Sequence, residues 1–539
     1  MLTWRVTELR FNGWSFRSTT RRYVLRLIVA VFAMFAILIA GCDSEKSPTI
    51  STPLGSPTLE IQDVQTLITH AVEQAERLGV KANIAVTDRE ANVLGVFVMN
   101  GSAGSTVDPV AGSLAKARTA SYLSSNQHGF STLTACFITR KHFPPDIDNT
   151  PAGPLFGVPL SSLGGGDIQP NGGAAPGVPG AGQPGLTGVP GGVPIFKGGL
   201  LAGGLGVSGG KLDQADIDQI LCCCSGVLQD EIIALGAVQG GYVVPADKRG
   251  DGIFIDGIRF LFANAQTPSA NFTLSFSGLA SRGTVHANFP IRASLPPKFP
   301  LSGEINLDPL HDFRIRAGVM LSAAEVRTII NQAAAQAART RAAIRRPLGA
   351  PAQVFISVVD VDGQVLGISR TPDATLFSYD VSAQKARTAL AFSDPNHLFG
   401  GRVRGILGLA QDQGLAMTTR AVGFLSQDFY PPGIDLETLD NPVEAGPLFE
   451  GPEFQFQIRL GLQPYGNGIT IFPGGVPLYK NGQLAGGIGI SGDGVDQDDI
   501  ICFAGSIGFE PPETFRCDQF SYRGAKLPYV KFPRQPELD

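Results

Sequence analysis

The sequence predicts an α+β fold of two tandem units, each running α-β-β-α-β-β-β-α with an antiparallel sheet flanked by helices. Three observations predict it. Residues 191–217 (GGVPIFKGGLLAGGLGVSGGKLDQADI) align without a gap on 474–500 (GGVPLYKNGQLAGGIGISGDGVDQDDI), identical at 17 of 27 positions. Upstream blocks repeat in the same order: IAVTDREANVLG with ISVVDVDGQVLG, SLAKARTA with SAQKARTA, and AGPLF twice. Each copy also alternates helix-period with strand-period apolar patterns. Self-similarity of this kind means two copies of one folding unit, and the varying gaps between blocks are loops on a preserved scaffold.

The chain opens with a segment that is not fold. Six arginines precede the apolar run Leu27–Ala40, which ends Ile39-Ala40-Gly41-Cys42. This matches a bacterial lipoprotein signal over residues 1–41, with Cys42 as the lipidated first residue of the mature chain. Thr20–Arg26 (TRRYVLR) also resembles a twin-arginine export motif. Residues 42–58, rich in Ser, Pro and Thr, read as a tether. The expectation is an extracytoplasmic, lipid-anchored protein of the bacterial cell envelope.

The first unit spans 59–240. Val64, Leu67, Ile68, Ala71, Val72 and Ala75 recur at three- and four-residue spacing, so 61–78 is a helix that Gly79 ends. Asn83–Thr87 and Val93–Met99 form a hairpin around a polar turn. A second helix holds SLAKARTA, and the apolar run Thr134–Ile138 reads as a strand. Val193–Phe196 and Leu200–Val207 form a second hairpin turned at Gly198-Gly199. A last helix is expected near Asp213, with acidic residues in its first turn. The Gly/Pro-rich stretch 164–190 is a loop inserted in this unit.

The second unit, 319–506, repeats the order. Its first helix covers 321–338, with Ser322 and Glu325 as a capping box. Strands follow at Val354–Val359 and Val365–Ser369, turned at Asp362-Gly363. Then come the SAQKARTA helix, a strand at Ala421–Leu425, the hairpin Val476–Tyr479 with Leu484–Ile490, and a helix from Asp496. Residues 241–318 read as a β-rich connector or appendage. The tail 507–539 echoes its start, Pro512/Arg516/Asp518 matching Pro245/Arg249/Asp251.

Composition narrows the function. The formal charge is −5, and the basic leader is excluded from a mature chain at −10. An acidic chain with no basic run argues against a nucleic-acid partner. Of seven cysteines, Cys502 and Cys517 are the expected disulfide pair. The run Cys222-Cys223-Cys224, with no CxxC and no adjacent His, is a poor zinc site. Ser113-x-x-Lys116 and Ser382-x-x-Lys385 fit an S-x-x-K nucleophile pattern, but the accompanying S-D-N element is missing. No other nucleophile set or phosphate loop stands out, and an enzyme is not the favoured class.

The hairpin with Asp88 or Asp360, the KA-x-T-A helix and the G-G-x-P…G-x-G-x-S-G block together resemble the GlcG/HbpS family, related to the C-terminal domain of PduO-type proteins. The resemblance covers both copies. It implies heme or a related tetrapyrrole as cofactor, and assembly into homo-oligomers. Under it, His128 and His397, each shortly after KARTA, are the candidate axial ligands. Lys116 with Arg118, and Lys385 with Arg387, are candidate propionate partners; a solvated helix face or ion pairs with Asp88 and Asp360 are the alternatives. Gly209 and Gly492 are candidate close-approach positions for a ligand, or serve strand packing. Asp493 in place of Gly210 marks the second copy as the one that departs from the pattern. A membrane-tethered heme-binding protein is the leading expectation. A ligand-free structural lipoprotein, and an enzyme acting on heme or a small oxidised metabolite, are the alternatives.

Overall fold

The computed structural model describes residues 55–531, apart from 103–109, 141, 146, 148–149, 151–152, 156–185, 211–223, 225–226, 269–270, 428–445 and 449–466. The leader, Cys42, most of the tether, the Gly/Pro-rich stretch up to 185 and the helix expected near Asp213 lie outside the described residues.

The first repeat contains α1 (Ile61–Arg77), β1 (Asn83–Asp88), β2 (Val93–Met99), α2 (Ala111–Tyr122), α3 (Thr132–Ile138), β3 (Gly192–Lys197), β4 (Leu200–Ser208) and α4 (Gln229–Ala237). Between the repeats come the short strands β5 (Phe254–Ile255), β6 (Ile258–Arg259), β7 (Gly283–Val285) and β8 (Gly303–Glu304). The second repeat contains α5 (Ala323–Arg339), β9 (Phe355–Asp360), β10 (Val365–Arg370), α6 (Ser378–Ser393), α7 (Leu398–Leu407), α8 (Thr419–Leu425), β11 (Gly475–Lys480), β12 (Gln483–Ser491) and α9 (Val495–Gly505). A last hairpin, β13 (Ser521–Tyr522) with β14 (Ala525–Lys526), follows.

Two five-stranded antiparallel sheets result, ordered β3-β4-β1-β2-β7 and β11-β12-β9-β10-β8. The α+β class holds, with helices on both faces of each sheet. Alternation along β1 shows why: Ile84 and Val86 pack toward α1 and α4, while Ala85 joins Leu114 and Ala117 of α2 on the other face. α5 opens with the capping box expected of Ser322 and Glu325.

One expected strand differs in each repeat, and the second repeat adds the unexpected helix α7 after Ser393. Thr132–Ile138 and Thr419–Leu425 are short helices, not strands. A seven-residue, mostly apolar and largely buried run fits either state by pattern. Here Ser131 and Thr418 decide it, each accepting from a backbone N–H in the first turn of its helix. The cysteine pairing also differs. Cys136 is bonded to Cys224, while Cys502 and Cys517 are free, buried thiols directed at the carbonyls of Ile488 and Pro528.

The connector is divided between the two sheets. In the first, Val96 N donates to Phe289 O and Arg292 N to Leu94 O. In the second, Ile368 N donates to Phe313 O and Arg316 N to Leu366 O. The segments doing this, NFPIR at 288–292 and DFRIR at 312–316, are a repeat of their own. The tail echo also has a structural basis. Arg249–Asp251 and Arg516–Asp518 form ion pairs of 2.8 and 2.7 Å, and each precedes a two-residue-strand hairpin. The carbonyls that follow, Phe262 O and Tyr529 O, accept from the cap hydroxyls of Ser131 and Thr418.

Candidate functional site

The duplicated glycines are a packing device first. A Cβ on Gly206 would lie 2.0 Å from Ser113 O, and one on Gly204 2.0 Å from Ala117 O. In the second repeat Gly489 meets Ser382 O at 2.0 Å and Gly487 meets Ala386 O at 2.4 Å. The backbone of the KARTA helix therefore lies directly on the glycine ridge of its strand, which only residues without a side chain permit. Gly209 and Gly492 face backbone too, at Lys81 O and Gln353 O.

That close approach drives the helix's lysine through to a buried carboxylate. Lys116 Nζ lies 2.8 Å from Asp230 Oδ2 and 2.8 Å from Val207 O. Lys385 Nζ lies 2.7 Å from Asp498 Oδ2 and 2.7 Å from Ile490 O. All four side chains are at most 7% exposed. The partners are thus Asp230 and Asp498, not Asp88 and Asp360. Asp88 instead closes its own hairpin turn, accepting from Glu90 N and Asn92 N. Burial of Asp498 pushes its carboxyl up to about 7 against the pull of Lys385.

Asp230 was missed because the duplicated block points elsewhere. DQADI at 213–217 matches DQDDI at 496–500, yet the helix that delivers the carboxylate starts at Gln229. VLQDEII at 227–233 matches VDQDDII at 495–501 and is the signal that locates it. Arg387 is likewise held inside the protein, donating to Gly363 O at 2.8 Å and Asn467 Oδ1 at 2.6 Å. Arg118 is buried at the corresponding place, 2% exposed.

The two candidate histidines do not correspond. Ser124 Oγ accepts from Phe130 N six residues on, and Ser393 Oγ from Met417 N 24 residues on. His128 therefore aligns with Leu415. His397 belongs to an insertion unique to the second repeat, where its Nδ1 accepts from Phe399 N at the start of α7. His128 is fully buried, with Nδ1 at 2.8 Å from Ser125 Oγ and Nε2 at 3.1 Å from Leu123 O. Burial and the Arg345 guanidinium hold its pKa well below the usual imidazole range.

Ser125 belongs to a buried polar joint between the repeats. Arg345 donates to Ser125 Oγ at 3.2 Å and Gln127 Oε1 at 3.3 Å, and pairs with Asp373 and Asp493. Asp373 also pairs with Arg89 and accepts from Asn126 N at 2.9 Å. Asp493, the departure from the first copy, is therefore an anchor of this joint.

Beside the joint lie two spaces. A cleft of about 740 Å³ runs between Phe143, Pro154 and Ile255 of the first half and Phe424, Phe472 and Val530 of the second. Arg420 and Lys531 stand on its wall, both paired with Asp496, at 2.6 and 3.1 Å. Sharing Pro154, Ile255, Phe472 and Val495 with it is a cavity of about 40 Å³ that reaches Lys385 and Asp498. None of the six histidines, all among the described residues, lines either space. Among the described residues no cluster of His, Cys, Asp and Glu suits a metal ion, and no helix is long and apolar enough to cross a membrane.

Comparison with known proteins gives a consistent family. The family model described as "Haem degrading protein HbpS-like" matches residues 59–219 and 321–506. The chain is 29% identical over 159 residues to the corrinoid adenosyltransferase PduO of Citrobacter freundii, and 28% identical over 159 residues to that of Salmonella typhimurium. Each match covers 30% of this chain and 33% of the relative, so the chain spans about a third of the length of these curated relatives. Among solved structures, a PduOC:heme complex aligns at 25% identity and a TM-score of 0.21, over 35% of this chain and 96% of that one. A Streptomyces reticuli HbpS double mutant aligns at 19% identity and a TM-score of 0.21, over 36% and 88%.

Proposed function

The chain belongs to the HbpS-like family, whose model covers both of its repeats, and from that premise we propose that it binds heme or a related tetrapyrrole in the cleft between the repeats. The cleft carries this reading. Its volume of about 740 Å³ lies within the roughly 300–1,000 Å³ of small-molecule sites. Phe143, Ile255, Phe424, Phe472 and Val530 give it the apolar wall a macrocycle requires, and Asp256, Gln427 and Asp496 join Arg420 and Lys531 as its polar part. Lys531, more than half exposed on the rim, can leave Asp496 for a propionate, while Arg420 beside it is held by both Asp496 and Asp499. The slot and Lys531 fit the group; an iron-ligating histidine is absent from the lining. His128 would have to surrender two hydrogen bonds to serve, so this reading rests the affinity on macrocycle and propionates. Lys116 and Lys385, each committed to an aspartate, are structural within it.

Titration of the purified protein with hemin tests the proposal. A Soret shift saturating at micromolar protein is expected, and weakening at least tenfold in a Phe472→Asp variant. No shift would overturn it.

The same proposal places the protein outside the cytoplasm, anchored through Cys42. The Arg-rich leader and the Ile39-Ala40-Gly41-Cys42 sequence support this, as does the Cys136–Cys224 disulfide, a bond of oxidising compartments. Palmitate labelling that disappears with Cys42→Ala is the expected result. Homo-oligomers would add to an internal pair that already shares one core, and light scattering reads their mass. The family's description as haem-degrading favours a second reading, turnover of the bound group. Bleaching of the Soret band under reductant and oxygen would select it.

A further inference from the structure

The two repeats hold the same buried ion pair in different states of completion. In the first, Asp230 uses both oxygens: Oδ2 takes Lys116 Nζ, and Oδ1 accepts from Gly210 N at 2.7 Å. In the second, Asp498 Oδ2 takes Lys385 Nζ, while Asp498 Oδ1 is buried without a hydrogen-bond partner. Asp493 stands where Gly210 stood, and its carboxylate is turned away to Arg345 and Gln353 N. Asp498 is 3% exposed. An unmade bond to a buried group costs about 1–3 kcal/mol, more where the group is charged, so an orphan of this kind asks for a partner.

The adjoining cavity offers room for one. Asp498, Lys385 and Ser491 form its polar end, and Leu123, Phe130 and Phe260 of the first repeat and its hairpin close it on the apolar side. Its volume is about 40 Å³. A water needs roughly 10–15 Å³ on this measure, so the cavity takes a molecule of about two to four heavy atoms. An ammonium has three N–H groups, and two of those on Lys385 go to Ile490 O and Asp498 Oδ2. A hydroxyl is the group that donates to a carboxylate oxygen and accepts from an ammonium at once. The apolar wall suits a short alkyl body.

We propose that the Lys385–Asp498 pair is the polar end of a binding site for a small hydroxyl-bearing molecule, built once per chain, between the repeats. Among the described residues only the second repeat forms it, because Gly210 N closes the equivalent pair in the first. The site adjoins the proposed tetrapyrrole cleft, sharing Pro154, Ile255, Phe472 and Val495 with it. Its polar end of Lys385, Asp498 and Ser491 lies outside the cleft lining, so a D498N effect on the small probe and a hemin Soret shift report the two proposals separately.

Fluorine relaxation of 2-fluoroethanol added to the full chain tests it, with 1,2-difluoroethane as the probe lacking the hydroxyl. Broadening of the fluoroethanol resonance at least fivefold greater than that of difluoroethane is expected. D498N should abolish the difference. L155F, which enlarges a side chain of the apolar lining, should weaken both probes and covers the case in which D498N does not fold. Equal broadening of the two probes overturns the proposal. So does an undiminished effect in L155F, or no fluoroethanol effect at all, which would leave the cavity to water.

Discussion

Arg345 and Asp493 face each other at the joint of the two repeats, and neither side chain reaches solvent. Arg345 simultaneously serves Asp373, at 3.3 Å. Replacing it with methionine leaves the buried Asp493 without its counter-charge and Asp373 with Arg89 alone. Removal of one member of a buried pair costs about 3–5 kcal/mol, and Arg345→Met is expected to lose at least that in urea unfolding.

The glycine ridges make a second prediction. Gly206→Ala and Gly489→Ala each force a methyl to 2.0 Å from a helix carbonyl. Each should destabilise by at least about 3 kcal/mol, with helix and strand driven apart. Gly198→Ala has a φ of +61° with open space around it and should cost only about 1–2 kcal/mol. Denaturation midpoints of the three variants check the order.

Glu231 sets a pH dependence. Burial pushes its carboxyl up to about 7, although Asn264 N and Ala265 N donate to it. Its folded pKa thus exceeds the ordinary 4.5, and the native state binds the extra proton. Its stabilisation is full below about pH 4.5 and is lost as pH rises through 7. Glu231→Gln should flatten the fall in stability between pH 5 and pH 8 by about 2–3 kcal/mol, read by urea titration at the two values.

Metal-free porphyrin separates two modes of tetrapyrrole binding. With no histidine on the cleft wall, protoporphyrin IX is expected to bind within about tenfold of hemin. A hemin preference above a hundredfold that vanishes in His397→Ala would return the iron to the sequence-derived ligand. Absorbance titrations of the two porphyrins measure it.

The sequence made the scaffold legible because its signals were local. Ser322 and Glu325 announce their capping box, Asp362-Gly363 its turn, and the apolar positions of 61–75 their helix face. What escaped depended on partners far along the chain. Thr132–Ile138 is helical through the Ser131 cap, which is itself held by Phe262 O. Asp230 was hidden by the DQADI decoy, and the cleft is made by segments as distant as Phe143 and Val530. KARTA followed by a histidine looked like a repeated site, but the insertion after Ser393 shifted His397 out of correspondence.

The divided connector changes where this chain comes apart. The first repeat takes its outermost strand from the sequence after it, the second from the sequence before it. Relative to one another, the halves are circularly permuted. Fragments cut at the family boundaries would each lose an edge strand and present the bare margin of β2 or β10, an invitation to aggregation. Cleavage at 300–302 instead leaves both five-stranded sheets whole. Two polypeptides ending and starting there are the pieces from which the molecule is most naturally reassembled.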